Sequence, residues 1–259
     1  IGRNILGTKE TLENFNSKKA KEYLGTHYHT NEIILSSVGN IDFDNLVKIA
    51  EKHLAKVTTN TNHGKRLGIN DYQARDLRVK KDIMQAHCMI GNRAYSAYDP
   101  KARTLILLSN LLGGPGMNSR LNLGIREKYG FTYAIESNYT TYCDTGLWSI
   151  YFGTEPQSVK KTLKLIYKEL KKLRDVKLGP LQLQKAKQQL IGQLAIAQEN
   201  NCNLMQNIAK SFQAFGSVES VEEAKNKILA ITAEELQQVA QEIFDEEALS
   251  TITFEPKEI

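Results

Sequence analysis

The second half of the chain repeats apolar and polar residues with the period of an α-helix. Between residues 159 and 173 the apolar positions are three or four apart, which places them on one helix face: Val159, Leu163, Ile166, Leu170 and Leu173. Gly179-Pro180 predicts the end of this helix and the start of another, because glycine favours helix ends and proline fits a first turn. Asn200-Asn201 predicts a break. Thr232 and Glu235 have the spacing of a capping box before a further helix.

Runs typical of β-strands flank these helices. Residues 75–80 and 85–91 are predicted strands, residues 131–141 and 147–153 a hairpin, and residues 249–254 a last strand. A helix is predicted after Asp99-Pro100, with four leucines on one side: Leu105, Leu108, Leu111 and Leu112. The pattern predicts an α+β fold, with an antiparallel-rich sheet and helices packed on one face.

The first 57 residues predict a helix, a strand and a helix. Asn16 or Ser17 can cap the first helix, and residues 33–40 are predicted to form a buried strand. Asp42 or Asp44 occupies the cap or first-turn position of the second helix. This segment holds one strand, and a lone strand has no ladder partner.

Residues 58–71 lose this periodicity and are rich in Thr, Asn and Gly, so they predict a linker. They separate residues 1–57 from a predicted domain at 72–259. A match without gaps then relates residues 16–39 to residues 232–255, each a capped helix that runs into a strand. The match suggests two copies of one domain design, with the front half of the first copy expected before Ile1.

Composition excludes several classes of protein. The 259 residues are 41% hydrophobic and 24% charged, an ordinary globular balance. No apolar run approaches the ~18 residues that span a bilayer. The net charge of +5 is scattered, and the basic stretches at 75–81 and 160–172 alternate with apolar residues, as on a solvated face, which argues against nucleic acid as a partner.

The cysteines, Cys88, Cys143 and Cys202, are odd in number and far apart. This spacing favours free thiols over a disulfide framework or a cysteine-rich metal site. Together with the lack of a visible targeting segment, free thiols favour a cytoplasmic location.

The histidines do not form a recognisable metal motif. A metallopeptidase needs two histidines and a glutamate on one helix face, as in His-x-x-Glu-His. His27 and His29 precede a predicted strand, so a polar turn is favoured over a ligand pair. His53 and His63 are interpreted as surface and linker positions, and His87 as a packed strand residue. No metal ligand is predicted in this chain.

Residues 113–133, GGPGMNSRLNLGIREKYGFTY, carry the most specific pattern. The loop Gly113-Gly114-Pro115-Gly116 is not a phosphate loop, because no Lys-Ser or Lys-Thr follows at the required spacing. Ser119-Arg120-Leu121 and then residues 125–133 resemble the second-domain signature of pitrilysin-type zinc peptidases. That family includes the mitochondrial processing peptidases, the insulin-degrading enzymes and bacterial relatives. Residues 2–8, His27-Tyr28 and Val38-Gly39-Asn40 resemble the end of the family's first domain, so the resemblance covers nearly the whole chain.

The resemblance implies a LuxS/processing-peptidase-like fold and a two-domain parent protein of bacterial type. In this family the zinc site lies in the first domain. Residues 1–57 would then be the tail end of a truncated zinc-bearing domain, and residues 72–259 the complete C-terminal domain. Zinc is expected in the intact parent protein and not on this chain.

Two positions match residues that reach the substrate in active members of the family. The resemblance implies that Arg126 and Tyr133 bind substrate, since an arginine fork suits peptide carbonyls and a phenol can donate to an oxyanion. Gly113, Gly114 and Gly116 match a turn that lines the substrate chamber. From the residues alone, Arg126 is a surface arginine, Tyr133 a core aromatic and the glycine loop a helix terminator.

Two functions follow from the resemblance. In the first, the chain is the C-terminal substrate-chamber part of a zinc-dependent metalloendopeptidase. In the second, it belongs to a non-catalytic, zinc-less subunit that binds peptides or assembles with an active peptidase. The implied partners are a peptide substrate, the missing N-terminal half, and a second copy or a related subunit.

Overall fold

The computed structural model describes residues 4–61 and 71–257. These residues form two compact units: residues 4–61 with 199–218, and residues 71–198 with 219–257. The predicted domain starting at residue 72 differs from this division at one place, since residues 199–218 group with the first unit. Most of the predicted linker, residues 62–70, lies outside the described residues.

The helices that the sequence predicted begin and end close to their cap and break residues. In chain order they are α1 (Lys9–Glu13), α2 (Ser17–His27), α3 (Phe43–Leu54), α4 (Ala102–Gly113), α5 (Val159–Asp175), α6 (Pro180–Gln198), α7 (Asn201–Phe215), α8 (Val221–Ala230) and α9 (Ala233–Ile243). Helices α1 and α8 were not predicted. Helix α6 begins at Pro180 as predicted, but α5 ends four residues before Gly179. A π-helical turn, Asn122–Glu127, follows the glycine loop.

The second unit is built on a five-stranded sheet in the order β1-β5-β2-β4-β3. Its strands are β1 (Asp76–Lys81), β2 (Ala86–Ala94), β3 (Thr132–Thr141), β4 (Gly146–Thr154) and β5 (Ser250–Pro256). Strands β1 and β5 pair in parallel, and the other pairs are antiparallel. The predicted antiparallel-rich sheet, its hairpin and its last strand are therefore confirmed.

One face of this sheet carries the core. Helix α4 packs against β3, helix α9 against β2, and α5 against α9. The buried centre includes Trp148, whose ring centroid lies 4.5 Å from that of Phe244 on the segment after α9. Alternate residues on β2 and β4, such as Ile90 and Ile150, are also fully buried. The predicted packing of helices on one face is confirmed.

The first unit confirms the predicted caps and corrects the predicted strand. The Asn16 side chain accepts from the Lys19 N–H at 3.0 Å, and the Asp42 carboxylate accepts from the Asn45 N–H at 3.0 Å. Residues 33–38 are not a strand, although Ile33 has extended dihedrals. The strand prediction was wrong because a ladder needs a neighbour, and no strand is assigned among the described residues of this unit.

The three thiols are free, as predicted. Cys143 and Cys202 are exposed, whereas Cys88 is buried in β2. Burial raises the pKa of the Cys88 thiol to about 11, so this side chain stays protonated at neutral pH and serves as a small apolar core residue.

The capping box of α9 supports a stability prediction. The Thr232 hydroxyl accepts from the Glu235 N–H at 3.1 Å, and the Glu235 carboxylate accepts from the Thr232 N–H at 2.7 Å. Thr232→Ala should lower the free energy of unfolding by about 1 kcal/mol, because one helix N–H loses its acceptor. Urea denaturation measures this change. Thr232→Ser keeps the hydroxyl and should stay near wild type; equal losses in both variants would contradict the cap as the cause.

Candidate functional site

The sheet has one face packed against α4 and α9 and a second face, here called the open face, that carries the more exposed residues of β2 and β4. Across it the ladder register aligns one residue from each of four strands: Leu77, Ile252, Met89 and Tyr151. Leu77 is 50% exposed and Met89 41% exposed. A row of accessible apolar side chains on a sheet is a common feature of binding surfaces.

Close packing explains why Gly113 and Gly114 of the glycine loop are glycines. An added Cβ at Gly113 would lie 2.5 Å from the Ser137 backbone nitrogen, so the last turn of α4 touches β3 directly. At Gly114 it would lie 2.7 Å from the Asn110 carbonyl oxygen, and the Gly114 N–H donates to that oxygen to end the helix. The loop is the predicted helix terminator, and its role in lining a chamber stays a prediction.

The Ser119-Arg120-Leu121 motif also has a structural role. Ser119 and Leu121 are buried. The Arg120 guanidinium lies 2.8 Å from the Glu169 carboxylate on α5, so it ties the loop to a core helix. The sequence singled out this motif but gave no indication of the Glu169 contact.

Arg126 lies in the π-helical turn beside Ile125, which anchors the turn in the core. Its side chain is 37% exposed, and its guanidinium contacts Met117 Sδ at 3.5 Å and the Glu127 carboxylate at 4.0 Å. The second distance is at the outer limit of an ion pair, so the guanidinium keeps most of its donors free for another acceptor. Such π-helical turns are frequent at functional sites.

A β-bulge places Tyr133 on the surface. Thr132 pairs with Thr154 and Ala134 with Gly153, so Tyr133 is an extra residue in β3. Its side chain is 74% exposed, and the interpretation as a core aromatic is therefore wrong. Bulges re-aim side chains in this way and are common beside active sites.

The sequence placed Arg126 and Tyr133 seven residues apart, and the structure puts them on consecutive elements. Within the described part of the chain no hydrogen bond joins them. Each side chain is thus independently available, Arg126 as a cation with several donors and Tyr133 as an exposed phenol.

His87 and Tyr151 are a further pair on the open face. The His87 Nδ1 lies 2.8 Å from the Tyr151 hydroxyl, and both atoms lie less than 4 Å from where a Cβ would sit on Gly153. His87 is a packed strand residue, as predicted. The pairing with Tyr151 was missed, although strict alternation along β2 and β4 puts both side chains on one face.

The described residues do not supply a metal centre: in 4–61 and 71–257 no group of three or more His, Cys, Asp or Glu side chains could hold an ion. The expectation that this chain binds no metal stays a prediction. Among these same residues, no helix combines the length and the apolar character required to cross a membrane.

Comparison with known proteins gives a consistent picture. The sequence profile described as the peptidase M16 inactive domain matches residues 14–190, which is more than half of the chain. Relatives include the uncharacterized zinc protease YmxG of Bacillus subtilis (29% identical, covering 98% of this chain and 61% of the relative) and an uncharacterized zinc protease of Rickettsia felis (32%, covering 97% and 60%). Mitochondrial-processing peptidase subunit beta of Bos taurus is 26% identical over 92% of this chain and 50% of its own length.

A solved structure agrees at the level of the fold. The crystal structure of a peptidase M16 inactive domain from Pseudomonas fluorescens matches with a TM-score of 0.86 at 18% identity, covering 97% of this chain and 60% of that one. The chain spans half to about three fifths of the length of these relatives.

The contact between Gly113 and Ser137 can be tested directly. Gly113→Ala should lower the free energy of unfolding by about 2 kcal/mol, because the new methyl group would overlap backbone atoms that cannot rotate away. Gly192→Ala in the middle of α6 is the matched control, since its Cβ would meet nothing within 4 Å. It should stabilise the protein by about 0.5–1 kcal/mol. Thermal or urea unfolding measures both, and a neutral Gly113→Ala would rule out the close approach.

Proposed function

Because this chain belongs to the peptidase M16 family, we propose that it forms the substrate-chamber part of a zinc-dependent metalloendopeptidase. Relatives that carry the names zinc protease and processing peptidase support the reaction class. The described side chains do not fit a zinc site, so in this proposal the zinc ligands lie in another segment of the parent protein. The contribution of this chain is to bind and orient the peptide.

The observation that carries the proposal is the exposed Tyr133 on its bulge. A 74% exposed phenol, turned out from a strand whose neighbours Thr132 and Ile135 are buried, has no packing role. Its hydroxyl can donate a hydrogen bond to the oxygen that gains negative charge when a peptide carbonyl is attacked.

Arg126 complements this donor. The π-helical turn holds its backbone through the buried Ile125, while the guanidinium makes weak contacts with Glu127 and the Met117 sulfur. A guanidinium offers several N–H donors in one plane, which suits the carbonyl groups of an extended peptide. On the open face of the same sheet, the apolar row of Leu77, Met89 and Ile252 would offer a surface to peptide side chains.

The first unit has an apolar surface on which a further segment of the parent protein could pack. Helices α2 and α9 are both 11 residues long and occupy equivalent positions in the internal match. Val239 and Phe244 of the α9 segment are buried, whereas their counterparts Tyr23 and Tyr28 are more than half exposed. The same local design thus has an apolar face that remains uncovered in residues 4–61. We propose that a further segment of the parent protein covers it and supplies neighbours for residues 33–38.

Substitutions at the two proposed substrate positions test the function. In the full-length parent protein, Tyr133→Phe should lower kcat for peptide cleavage about a hundredfold, because the oxyanion loses a donor. Arg126→Ala should raise KM about tenfold through loss of a charged hydrogen bond. Arg126→Lys should restore only part of this loss, since it keeps the charge without the fork.

Tyr142→Phe, in the turn at the far end of the β3–β4 hairpin, is the control and should leave the kinetics unchanged. Wild-type cleavage by both Arg126→Ala and Tyr133→Phe would refute the substrate roles.

Zinc content separates the two functions that the family allows. The protein isolated from its source cells should have an intact mass well above 29.2 kDa and carry about one zinc per chain. A larger chain without zinc would instead support the non-catalytic subunit. Size-exclusion chromatography of the same sample would identify a second copy or a related subunit as the proposed partner.

A further inference from the structure

A small pocket lies between the π-helical turn and α5, away from the open face of the sheet. Its volume is about 130 Å³. Water occupies about 30 Å³ per molecule in the liquid, so the pocket has room for about four waters or one tetrahedral oxyanion. Gly124 contributes to its lining, and a Cβ at this position would meet nothing within 4 Å, which leaves the space above the turn open.

Positive charge dominates this pocket. Four cationic side chains line it, from both of its walls: Arg120, Lys128, Lys168 and Lys172. Glu169 is the single carboxylate among the lining residues, so the pocket carries three positive charges in excess. Like charges held this close repel one another, and a bound anion would relieve the repulsion.

Glu169 does not neutralise the cluster, because two cations share it. Its carboxylate oxygens lie 2.8 Å from the Arg120 guanidinium and 2.9 Å from Lys172 Nζ. Lys128 and Lys168 have no carboxylate partner within the described part of the chain. The excess charge therefore comes from lysines on opposite walls of the pocket.

An aromatic stack holds Lys128 at the rim. Its Nζ lies 5.5 Å from the centroid of the Tyr129 ring, which stacks on Phe131 at 5.4 Å. On the other side of this stack, Lys161 Nζ of α5 lies 6.0 Å from the centroid of the Phe131 ring. Cation–π contacts of this kind restrict a lysine side chain without reducing its charge, so less entropy is lost when it binds an anion.

We propose that this pocket binds the phosphate group of a small anionic ligand, such as a phosphomonoester or a polyphosphate. Phosphate fits better than a carboxylate because it carries more charge and presents acceptor oxygens in several directions, toward cations on two walls. Neither Arg126 nor Tyr133 lines this pocket, so the proposal does not depend on the proposed peptide site.

The test uses the full-length parent protein and inorganic phosphate or tripolyphosphate. Isothermal titration at constant ionic strength, balanced with chloride, should show saturable binding at about one site per chain. Lys128→Ala and Lys168→Ala should each weaken binding about tenfold, because each removes one charge-assisted contact. Lys160→Ala and Lys171→Ala are matched controls, since both are exposed lysines of α5 that do not line the pocket. They should stay within about twofold of wild type.

A variant that is expected to bind more tightly distinguishes a loss of charge from a loss of folding. Glu169→Gln removes the only carboxylate of the pocket and should tighten tripolyphosphate binding severalfold, whereas simple misfolding would weaken it. Equal effects of the pocket and control lysines would overturn the proposal in favour of diffuse surface charge. Glu169 also ties Arg120 to α5, so thermal unfolding must first show that Glu169→Gln is folded at the titration temperature. Weaker or unchanged binding by the folded variant, or the absence of saturable binding, would overturn the proposal as well.

Vesicles distinguish the source of the phosphate. Sedimentation with phosphatidylcholine vesicles that contain phosphatidic acid should leave the protein in solution if the ligand is a soluble phosphate compound. If the protein sediments with these vesicles and does so only when Lys128 and Lys168 are present, the pocket binds phosphate and its ligand is a lipid headgroup. Failure to bind vesicles, phosphate and tripolyphosphate alike would remove the site.

Discussion

The close approach of α4 to β3 is the contact on which the second unit depends. Gly113 lies against the backbone of Ser137, and nothing larger than glycine fits between them. The Ser137 hydroxyl is held 2.8 Å from that of Ser109 and accepts a hydrogen bond from Trp148 Nε1 at 3.1 Å. These groups are buried, so each needs its partner. The contact fixes where α4 ends, and therefore where the glycine loop and the π-helical turn begin.

Local signals in the sequence predicted most helices, because a cap is complete within four residues. The residues at 16, 42 and 232 all cap helices through their side chains. Helix α8 was missed, although Ser220 and Glu223 form the same capping box that identified α9. That error came from an incomplete reading of the pattern. The information was present in the sequence.

Strands were predictable only where the chain supplies their neighbours. Strand β5 pairs with β1 and β2, and its sequence pattern was interpreted correctly. The equivalent segment at 33–38 has extended residues and the same apolar start, yet Ile33 and Leu35 are more than half exposed and the described residues form no ladder there. A strand is a property of at least two segments, so one segment's pattern cannot establish it.

Tyr133 shows that sequence alternation can also fail to predict the direction of a single side chain. Alternation with the buried Ile135 and Ser137 predicts an inward side chain, and the bulge reverses it.

The two arginines of the family signature, Arg120 and Arg126, look equivalent in the sequence. The structure distinguishes them by whether a carboxylate lies close to the guanidinium. Arg120 is partly buried, with 24% of its side chain exposed, and is bound to Glu169 at 2.8 Å, so its charge already joins the loop to α5. Arg126, six residues later, reaches its nearest carboxylate only at 4.0 Å and points toward the exposed Met117. A buried charge without its partner is costly, whereas an exposed one is not. The Arg120 charge is therefore paired within the fold, whereas Arg126 has no closer carboxylate partner among the described residues, which is why the proposed substrate role falls on Arg126.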